Sequence, residues 1–319
     1  MVGKVTPDSM LSASRLPAVM GMSKYRSPND ELQISIAAIN GKTQPNISNE
    51  AMDWGNQLEP IILRETAARL ELSELNIEHD KPYFHAEWPI CCSLDGTADG
   101  RGQVIKHDPD AGIYVMGAPS IVLEGTGVLE AKLTSNMPED EPSLARGPIQ
   151  LQAQMDIIQA KWGALATLFR GTELRIYLFA PHQNSLDKIR DVACDFQNRL
   201  EIWRSEHRIA PYPSQNSKDA DRLYANTSSD SEPVELDDAA AEYANLILEC
   251  KAEIDARAEL INQAETQLKE LLKDRTSGIA GKFKINWPMR HYAAKPEKIT
   301  PAKEAYSIRQ STLQIKEVK

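Results

Sequence analysis

The longest regular pattern in this sequence is an apolar repeat that runs from Leu236 to Leu271. Its seam advances in alternating steps of four and three residues, and one charge, Arg257, interrupts it. The seam residues are Leu236, Ala240, Tyr243, Ile247, Cys250, Ile254, Arg257, Ile261, Ala264, Leu268 and Leu271. This heptad pattern predicts one helix over about residues 235–274, roughly 60 Å long, that packs on the rest of the protein or on a partner helix.

The remainder of the chain divides at a segment that is rich in Pro, Ser, Asn and Asp, residues 211–234, which indicates a linker. Upstream of it, residues 1–210 mix helical and strand patterns. The pattern predicts helices at 28–40, 51–72, 148–169 and 187–207. It predicts strands within 83–106, 112–135 and 173–181 that are broken by turns, among them one at residues 125–127. We therefore expect an α/β core with a mixed central sheet flanked by helices, then the linker, then a unit 235–319 that contains the long helix and a basic tail.

Composition leaves the class of partner open. Apolar residues make up 41% and charged residues 26% of the chain, as in a globular protein. We expect a cytoplasmic protein with no membrane segment, because no apolar run approaches the ~18–20 residues that span a bilayer and the N-terminus lacks a signal-peptide core. The four cysteines show no C-x-x-C spacing, which argues against a zinc or iron–sulfur site.

The charge distribution is uneven. A net charge of −10 argues against a nucleic-acid partner, yet residues 276–319 carry nine Lys or Arg against three Glu. An acidic metal site combined with a basic tail produces such a balance, because bound cations offset carboxylates locally.

The stretch GVLEAKLTS, residues 127–135, reads as a short strand that carries Glu130 and Lys132 two positions apart. Alternation along a strand places both side chains on one face. Taken alone, such a pair is most often a surface ion pair.

Three further polar residues flank this strand in the sequence. Glu59 lies in a predicted helix within WGNQLEPIILRE, Asp95 ends a predicted strand within CCSLDGTAD, and Gln152 lies in an apolar helix within QLQAQMDII. Each has an ordinary explanation alone: a solvated helix residue, a hairpin turn, a polar position in a helix. Their order along the chain is a helical Glu, a strand Asp, E-x-K and a helical Gln. This ordered combination is less easily explained in the same way.

Phosphodiester hydrolysis would require such a set. Divalent metals stabilise the charge that develops and lower the pKa of a bound water, and Mg²⁺ prefers oxygen ligands. Asp95, Glu130 and the backbone carbonyl of Ala131 are the candidate ligands, with Glu59 as a further candidate for a second metal or as a partner of Lys132. Lys132 would position or deprotonate the attacking water.

The ordered set resembles the PD-(D/E)xK nuclease superfamily, and within it the lambda-exonuclease or YqaJ-like phage recombination nucleases. The resemblance covers about residues 11–180 and includes LSASRLPAVMGMSKYRSPNDEL, AMDWGNQLEP, CSLDG, GVLEAK and QLQAQ. It implies a restriction-endonuclease-like core. It also implies that Asp95, Glu130 and Lys132 form the catalytic centre, with Glu59 and Gln152 in support and Gln152 orienting the water or the scissile phosphate.

The resemblance also concerns substrate binding. Ser14 matches a serine near the 5′-phosphate pocket of the family, but the arginine upstream of that serine has no match here. The candidate phosphate-binding residues are Lys4, Arg15, Arg26 and Arg146. Residues 103–126 read as an inserted hairpin, and we expect its neighbouring acids, Asp99 and Glu124, to be structural or exposed.

The family likeness implies a Mg²⁺-dependent exonuclease, with Mn²⁺ as a substitute, that degrades the 5′-ended strand of linear double-stranded DNA and leaves a 3′ overhang. It further implies a ring-shaped homotrimer and a single-strand annealing recombinase as partner. The alternatives are a PD-(D/E)xK endonuclease, a catalytically silent DNA-binding scaffold, and an assembly protein built on the heptad helix.

The basic tail leaves two interpretations open. The segment KFKINWPMRHYAAKPEK, residues 282–298, mixes Lys and Arg with Phe283, Trp287 and Tyr292. This composition is typical of a surface that binds the DNA backbone and stacks on bases. It is equally compatible with aromatic residues that pack on the domain and lysines that are solvated.

Overall fold

The computed structural model describes residues 5–42, 49–225 and 233–290. The chain forms two compact units, residues 1–223 and residues 224–319. The boundary lies inside the predicted linker, but residues 211–223 belong to the first unit. The buried carboxylate of Asp219 accepts hydrogen bonds from Ser27 Oγ (2.7 Å) and Asn29 Nδ2 (3.0 Å), which ties this segment to the core.

A six-stranded mixed sheet forms the centre of the first unit. The strands of this unit are β1 (Leu11–Ser12), β2 (Ser73–Asn76), β3 (Tyr83–Phe84), β4 (Ile90–Cys92), β5 (Gly96–Lys106), β6 (Ile113–Val115), β7 (Ser120–Thr134), β8 (Gly163–Phe169) and β9 (Glu173–Phe179). Their order in the main sheet is β2-β5-β7-β8-β9-β6, and β1, β4 and β3 form a small second sheet. The pairs β7–β8 and β6–β9 are parallel and the other pairs of the main sheet are antiparallel, so the prediction of a mixed sheet is confirmed.

Helices cover both faces of this sheet. They are α1 (Leu16–Val19), α2 (Pro28–Ile39), α3 (Glu50–Arg69), α4 (Pro148–Ile158), α5 (Gln183–Glu206) and α6 (Ser217–Leu223). One apolar cluster contains residues of α1, α2, α4 and α5 together with Leu165 of β8, and the other contains residues of α3 together with Ala164 and Ala166. Because neighbouring strand residues point to opposite faces, β8 is buried on both sides. The predicted α/β core with flanking helices is confirmed.

The prediction of a helix over 148–169 is wrong in its second half. Helix α4 ends at Ile158, Gln159 adopts the left-handed conformation, and β8 begins at Gly163. A strand that is buried on both faces shows no alternation of apolar and polar residues, so its sequence cannot be distinguished from a buried helix by periodicity.

The predicted turn at residues 125–127 is also wrong, because β7 continues through it and pairs with β5. Together these strands form the predicted hairpin, with Gln103 opposite Leu123 and Lys106 opposite Ser120. Gly127 is required for packing rather than for a turn. A Cβ atom at this position would lie 2.2 Å from the ring of Trp162.

The second unit contains α7 (Asp238–Leu272), β10 (Ser277–Ala280) and β11 (Phe283–Asn286). The predicted long helix is confirmed, and β10 and β11 form an antiparallel hairpin whose Gly278 lies against Leu272. The rest of the basic tail, residues 291–319, lies outside the described residues. In the part of the chain that the structure describes, no helix is both long enough and apolar enough to cross a membrane.

Candidate active site

The residues of the E-x-K motif meet Asp95 at the centre of the main sheet. Gly96, the first residue of β5, pairs with Leu129 of β7, so Asp95 lies beside the next residues of β7. There the backbone N–H of Ala131 donates a hydrogen bond to Asp95 Oδ2 (3.0 Å). The N–H and C=O of one strand residue point toward the same neighbouring strand, so the Ala131 carbonyl also faces Asp95.

Glu130 is the buried acid of this cluster, with 1% of its surface exposed. Its Oε1 forms an ion pair with Lys132 Nζ and accepts a hydrogen bond from Gln150 Nε2 (2.6 Å). Its Oε2 accepts a hydrogen bond from Gln154 Nε2 (2.7 Å). Three donors therefore compensate the burial of this carboxylate.

The structure does not bring Gln152 into this cluster, and the prediction for this residue is corrected. Its Nε2 donates to the carbonyl of Ala180 (2.9 Å), and its Oε1 accepts from the backbone N–H of His182 (2.8 Å). Residues four apart on a helix share a face, whereas a residue two positions away points to the other side. Gln150 and Gln154 therefore occupy the supporting position that the sequence assigned to Gln152.

Glu59 lies on α3 beside a cavity of about 430 Å³ that is also lined by Ala131 and Lys132. Burial raises the pKa of Glu59, the negative charge of Glu130 raises it further, and the positive charge of Lys132 opposes both effects. Glu59 thus lies close enough to the cluster to share its electrostatic field.

The charges of the cluster are strongly coupled. Burial raises the pKa of Asp95 well above its usual value, and Glu130 adds to this effect while Lys132 opposes it. Burial acts to lower the pKa of Lys132, but Glu130, Asp95 and Glu59 together raise it above its usual value. In this arrangement Lys132 is an ammonium group that compensates several acids.

The donor set fits a hard divalent cation. The carboxylates of Asp95 and Glu130 lie close enough to interact electrostatically, and the backbone of Ala131 contacts Asp95. Gln154 Oε1 is a buried oxygen without a hydrogen-bond partner among the described residues. Mg²⁺ is bound through few carboxylates plus other oxygens. Within residues 5–42, 49–225 and 233–290, no three His, Cys, Asp or Glu side chains form a metal cluster, so Glu59 does not complete a three-acid site.

Lys132 also lines a second cavity, of about 380 Å³. Its lining includes Ser14, Lys132, Arg146 and Gln150. The exposed Ser14 hydroxyl lies 3.2 Å from that of Ser12, and the Arg146 guanidinium forms an ion pair with Glu139, which also lines this cavity. Two of the predicted substrate-binding residues, Ser14 and Arg146, therefore line the same cavity as Lys132 and Gln150 of the candidate site.

The predicted phosphate-binding residues Arg15 and Arg26 do not line this cavity. Arg15 is buried, and its Nε donates to Glu31 Oε2 (2.6 Å), while its remaining nitrogens donate to backbone carbonyls and to Ser35. Arg26 pairs with the same Glu31 at 3.3 Å. Arg15 thereby connects α2 to the N-terminal segment. Lys4 lies outside the described residues.

The two acids of the inserted hairpin lie apart from the cluster, as the sequence predicts. Asp99 accepts a hydrogen bond from the Thr126 hydroxyl (2.6 Å), and Glu124 is exposed and lies opposite Arg101 in the β5–β7 pair.

Comparison with known families now adds to this geometry. Residues 7–269 match the YqaJ-like viral recombinase domain. The chain belongs to this family. The match spans all residues of the candidate site and most of α7, and it confirms the resemblance seen in the sequence.

Solved structures show only a low similarity to this chain. LHK-Exo in complex with dAMP shares 18% identity at a TM-score of 0.45, covering 62% of this chain and 94% of that chain. The alkaline exonuclease LHK-Exo from Laribacter hongkongensis shares 16% identity at a TM-score of 0.44, covering 61% and 89%. A phage related exonuclease from Haemophilus somnus 129PT shares 11% identity at a TM-score of 0.40, covering 62% and 96%. No curated protein matches the sequence. The family match alone carries the assignment.

Proposed function

We propose that this YqaJ-like protein is a Mg²⁺-dependent exonuclease that degrades the 5′-ended strand of linear double-stranded DNA and leaves a 3′ overhang. Membership in the family supports a nuclease that acts on DNA. The observation that carries the proposal is the convergence of Asp95, Glu130 and Lys132 at one point of the sheet. A surface ion pair would not require the buried acid, the second acid and the two glutamines.

A bound Mg²⁺, or Mn²⁺ as its substitute, would be held by Asp95, Glu130 and the Ala131 carbonyl, and it would stabilise developing charge and acidify a water. The chain's own residues prepare this position. Gln150 and Gln154 hold the Glu130 carboxylate in one orientation through both of its oxygens.

Lys132 is the proposed acceptor of the proton from the attacking water. Its ammonium form is stabilised by the nearby acids, whereas burial alone lowers its pKa. Neutralisation of those acids would therefore lower the pKa of Lys132 and favour the neutral amine, which can accept a proton. Lys132 lines both cavities, and this supports its proposed role beside the bound substrate.

Ser14 and Arg146 are the proposed contacts to the terminal phosphate. Both line the cavity that Lys132 and Gln150 share, and a hydroxyl and a guanidinium are suitable donors to phosphate oxygens. The ion pair of Arg146 with Glu139 would exchange for one with the phosphate.

We further propose, from the family likeness, a homotrimeric ring and a single-strand annealing recombinase as partner. The hairpin β10–β11 is a proposed additional DNA contact, because Phe283 (63%) and Trp287 (45%) are exposed and Lys282 lies over the Phe283 ring. Deletion of residues 276–319 should weaken duplex binding and reduce its salt dependence. Unchanged binding at every salt concentration would exclude this contact.

The decisive experiment is digestion of a linear duplex with a 5′-phosphate on one strand and a label on each strand, in Mg²⁺ or EDTA. The wild type should shorten the phosphorylated strand in Mg²⁺ alone. Asp95→Ala and Lys132→Ala should lose turnover by several orders of magnitude while remaining folded. Asp99→Ala is the matched control, because it removes an acid four residues further along the chain that lies outside the cluster.

A circular duplex of the same sequence separates the alternatives. Cleavage of the circle would favour an endonuclease of the same superfamily, and loss of the linear substrate alone supports the exonuclease. A chain that leaves both substrates intact in Mg²⁺ and in Mn²⁺ would be the silent DNA-binding scaffold.

A further inference from the structure

The seam of α7 has the properties of a helix interface without a partner among the described residues of the second unit. Tyr243, Ile254, Ile261 and Leu271 lie on this seam and are each at least 60% exposed. The helix is 35 residues long, about 52 Å at 1.5 Å per residue. An isolated soluble helix rarely carries so many apolar residues in a strict heptad order, since that order is useful only against another helix.

We propose that α7 pairs with α7 of a second copy of this chain in an antiparallel two-stranded coiled coil centred between Asp255 and Ala256. This inference does not depend on the nuclease function. Two properties of the seam, the sizes of its side chains and the position of its one charge, identify the partner and its direction.

Side-chain size favours the antiparallel direction. In a parallel pair each seam residue would face its own copy, so that small residues such as Ala264 would meet each other and leave gaps. In the antiparallel pair centred between Asp255 and Ala256, small residues meet large ones in most layers. The five layers, each formed twice, are Ala240 with Leu271, Tyr243 with Leu268, Ile247 with Ala264, Cys250 with Ile261 and Ile254 with Arg257.

The register uses the whole helix. The midpoint of α7 (Asp238–Leu272) is Asp255, so the two copies overlap from end to end and every seam residue from Ala240 to Leu271 enters a layer. A shift by one heptad in either direction would leave seam residues at the helix ends without a facing residue.

Charge supports the same direction. In a parallel pair, Arg257 would face Arg257 of the second copy inside the seam, which is repulsive. In the antiparallel pair, its aliphatic stem packs on Ile254 and its guanidinium lies beside Glu253 of the second copy. The helix dipoles of the two copies also run antiparallel in this arrangement, which is favourable.

The test measures the native mass of the full chain, under reducing conditions, by light scattering or sedimentation. Ile254→Asp places a charge in the central layer and should halve the mass of the assembly, whatever state the catalytic units adopt. Ala252→Asp is the matched control, because it adds the same charge in the same turn on the outer face, and it should keep the wild-type mass. Circular dichroism checks that both variants retain the helix. An Ile254→Asp protein with the wild-type mass overturns the proposal.

The direction is tested by disulfide formation. Ile261→Cys should give an intermolecular disulfide with Cys250 of the second copy upon oxidation, and Cys250→Ala in the same background should abolish it. A wild-type chain that crosslinks through Cys250 to Cys250, with no gain from Ile261→Cys, would show a parallel pair and would overturn the proposed direction.

Discussion

Two neighbouring glutamines of α4 offer a matched test of the candidate site. Gln152 and Gln154 are both buried, and each makes two hydrogen bonds with its side-chain amide. Those of Gln152 involve backbone groups, whereas those of Gln154 go to the Ser93 carbonyl (3.0 Å) and to the Glu130 carboxylate (2.7 Å). Replacement of either residue by Met preserves the length of the side chain and removes both bonds.

The two substitutions should have similar effects on stability and different effects on activity. Gln152→Met removes two neutral hydrogen bonds, about 1 kcal/mol each, and Gln154→Met removes one neutral bond and one charged bond of about 1.5–3 kcal/mol. At ~2–4 °C per kcal/mol for a unit of this size, the melting temperature should fall by about 4–8 °C for Gln152→Met and by about 5–16 °C for Gln154→Met. Loss of the donor that orients Glu130 should lower kcat/KM about 10–100-fold, as for other groups that support a metal ligand.

The assay is the initial rate of degradation of a labelled linear duplex in Mg²⁺, measured well below both melting temperatures, with Tm from circular dichroism. Gln152→Met should retain kcat/KM within about twofold of the wild type. The reasoning is refuted when Gln152→Met loses as much activity as Gln154→Met, or when Gln154→Met is destabilised but fully active.

Three further substitutions separate catalytic, structural and binding roles. Asp95→Asn removes a buried charge that Glu130 repels, so it should abolish degradation and raise metal-free stability by about 0.5–2 kcal/mol. It should also eliminate the increase in Tm that we expect Mg²⁺ to give the wild type. Arg15→Met leaves the buried Glu31 without its main partner and should cost about 3–5 kcal/mol in urea unfolding, which an unchanged midpoint would contradict. Arg146→Gln should change stability by less than about 0.5 kcal/mol and lower the salt slope of DNA binding by about one unit; an unchanged slope would remove Arg146 from the DNA contact.

The sequence predicted much of the architecture because several elements carry one clear period. Helices α2, α3 and α5 and the long helix α7 begin and end within a few residues of the predicted limits. The predictions failed where the sequence carries no clear hydrophobic period. Strand β8 is buried on both faces, and the docking of α6 depends on Asp219, whose partners lie about 190 residues away in sequence.

The candidate site was predictable where its residues are close in sequence and lie on one regular strand. Glu130 and Lys132 share a strand face, and the pairing of β5 with β7 then brings Asp95 to them. Arg15 could not be assigned in this way. The residue type that binds phosphate also binds a buried carboxylate. Only the fold reveals that the Glu31 carboxylate, three backbone carbonyls and the Ser35 hydroxyl already use its donors.

The choice among the three glutamines of QLQAQ depends on the phase of α4 rather than on residue type. A buried carboxylate has two oxygens, and two donors that reach it from one helix must lie on one face, so they must be three or four residues apart. Only Gln150 and Gln154 meet this condition, and Gln152 necessarily points elsewhere. The apolar pattern could not supply this phase, because α4 is buried almost all round over residues 148–155. The number of donors that Glu130 requires, rather than the hydrophobicity of the helix, therefore identifies the pair.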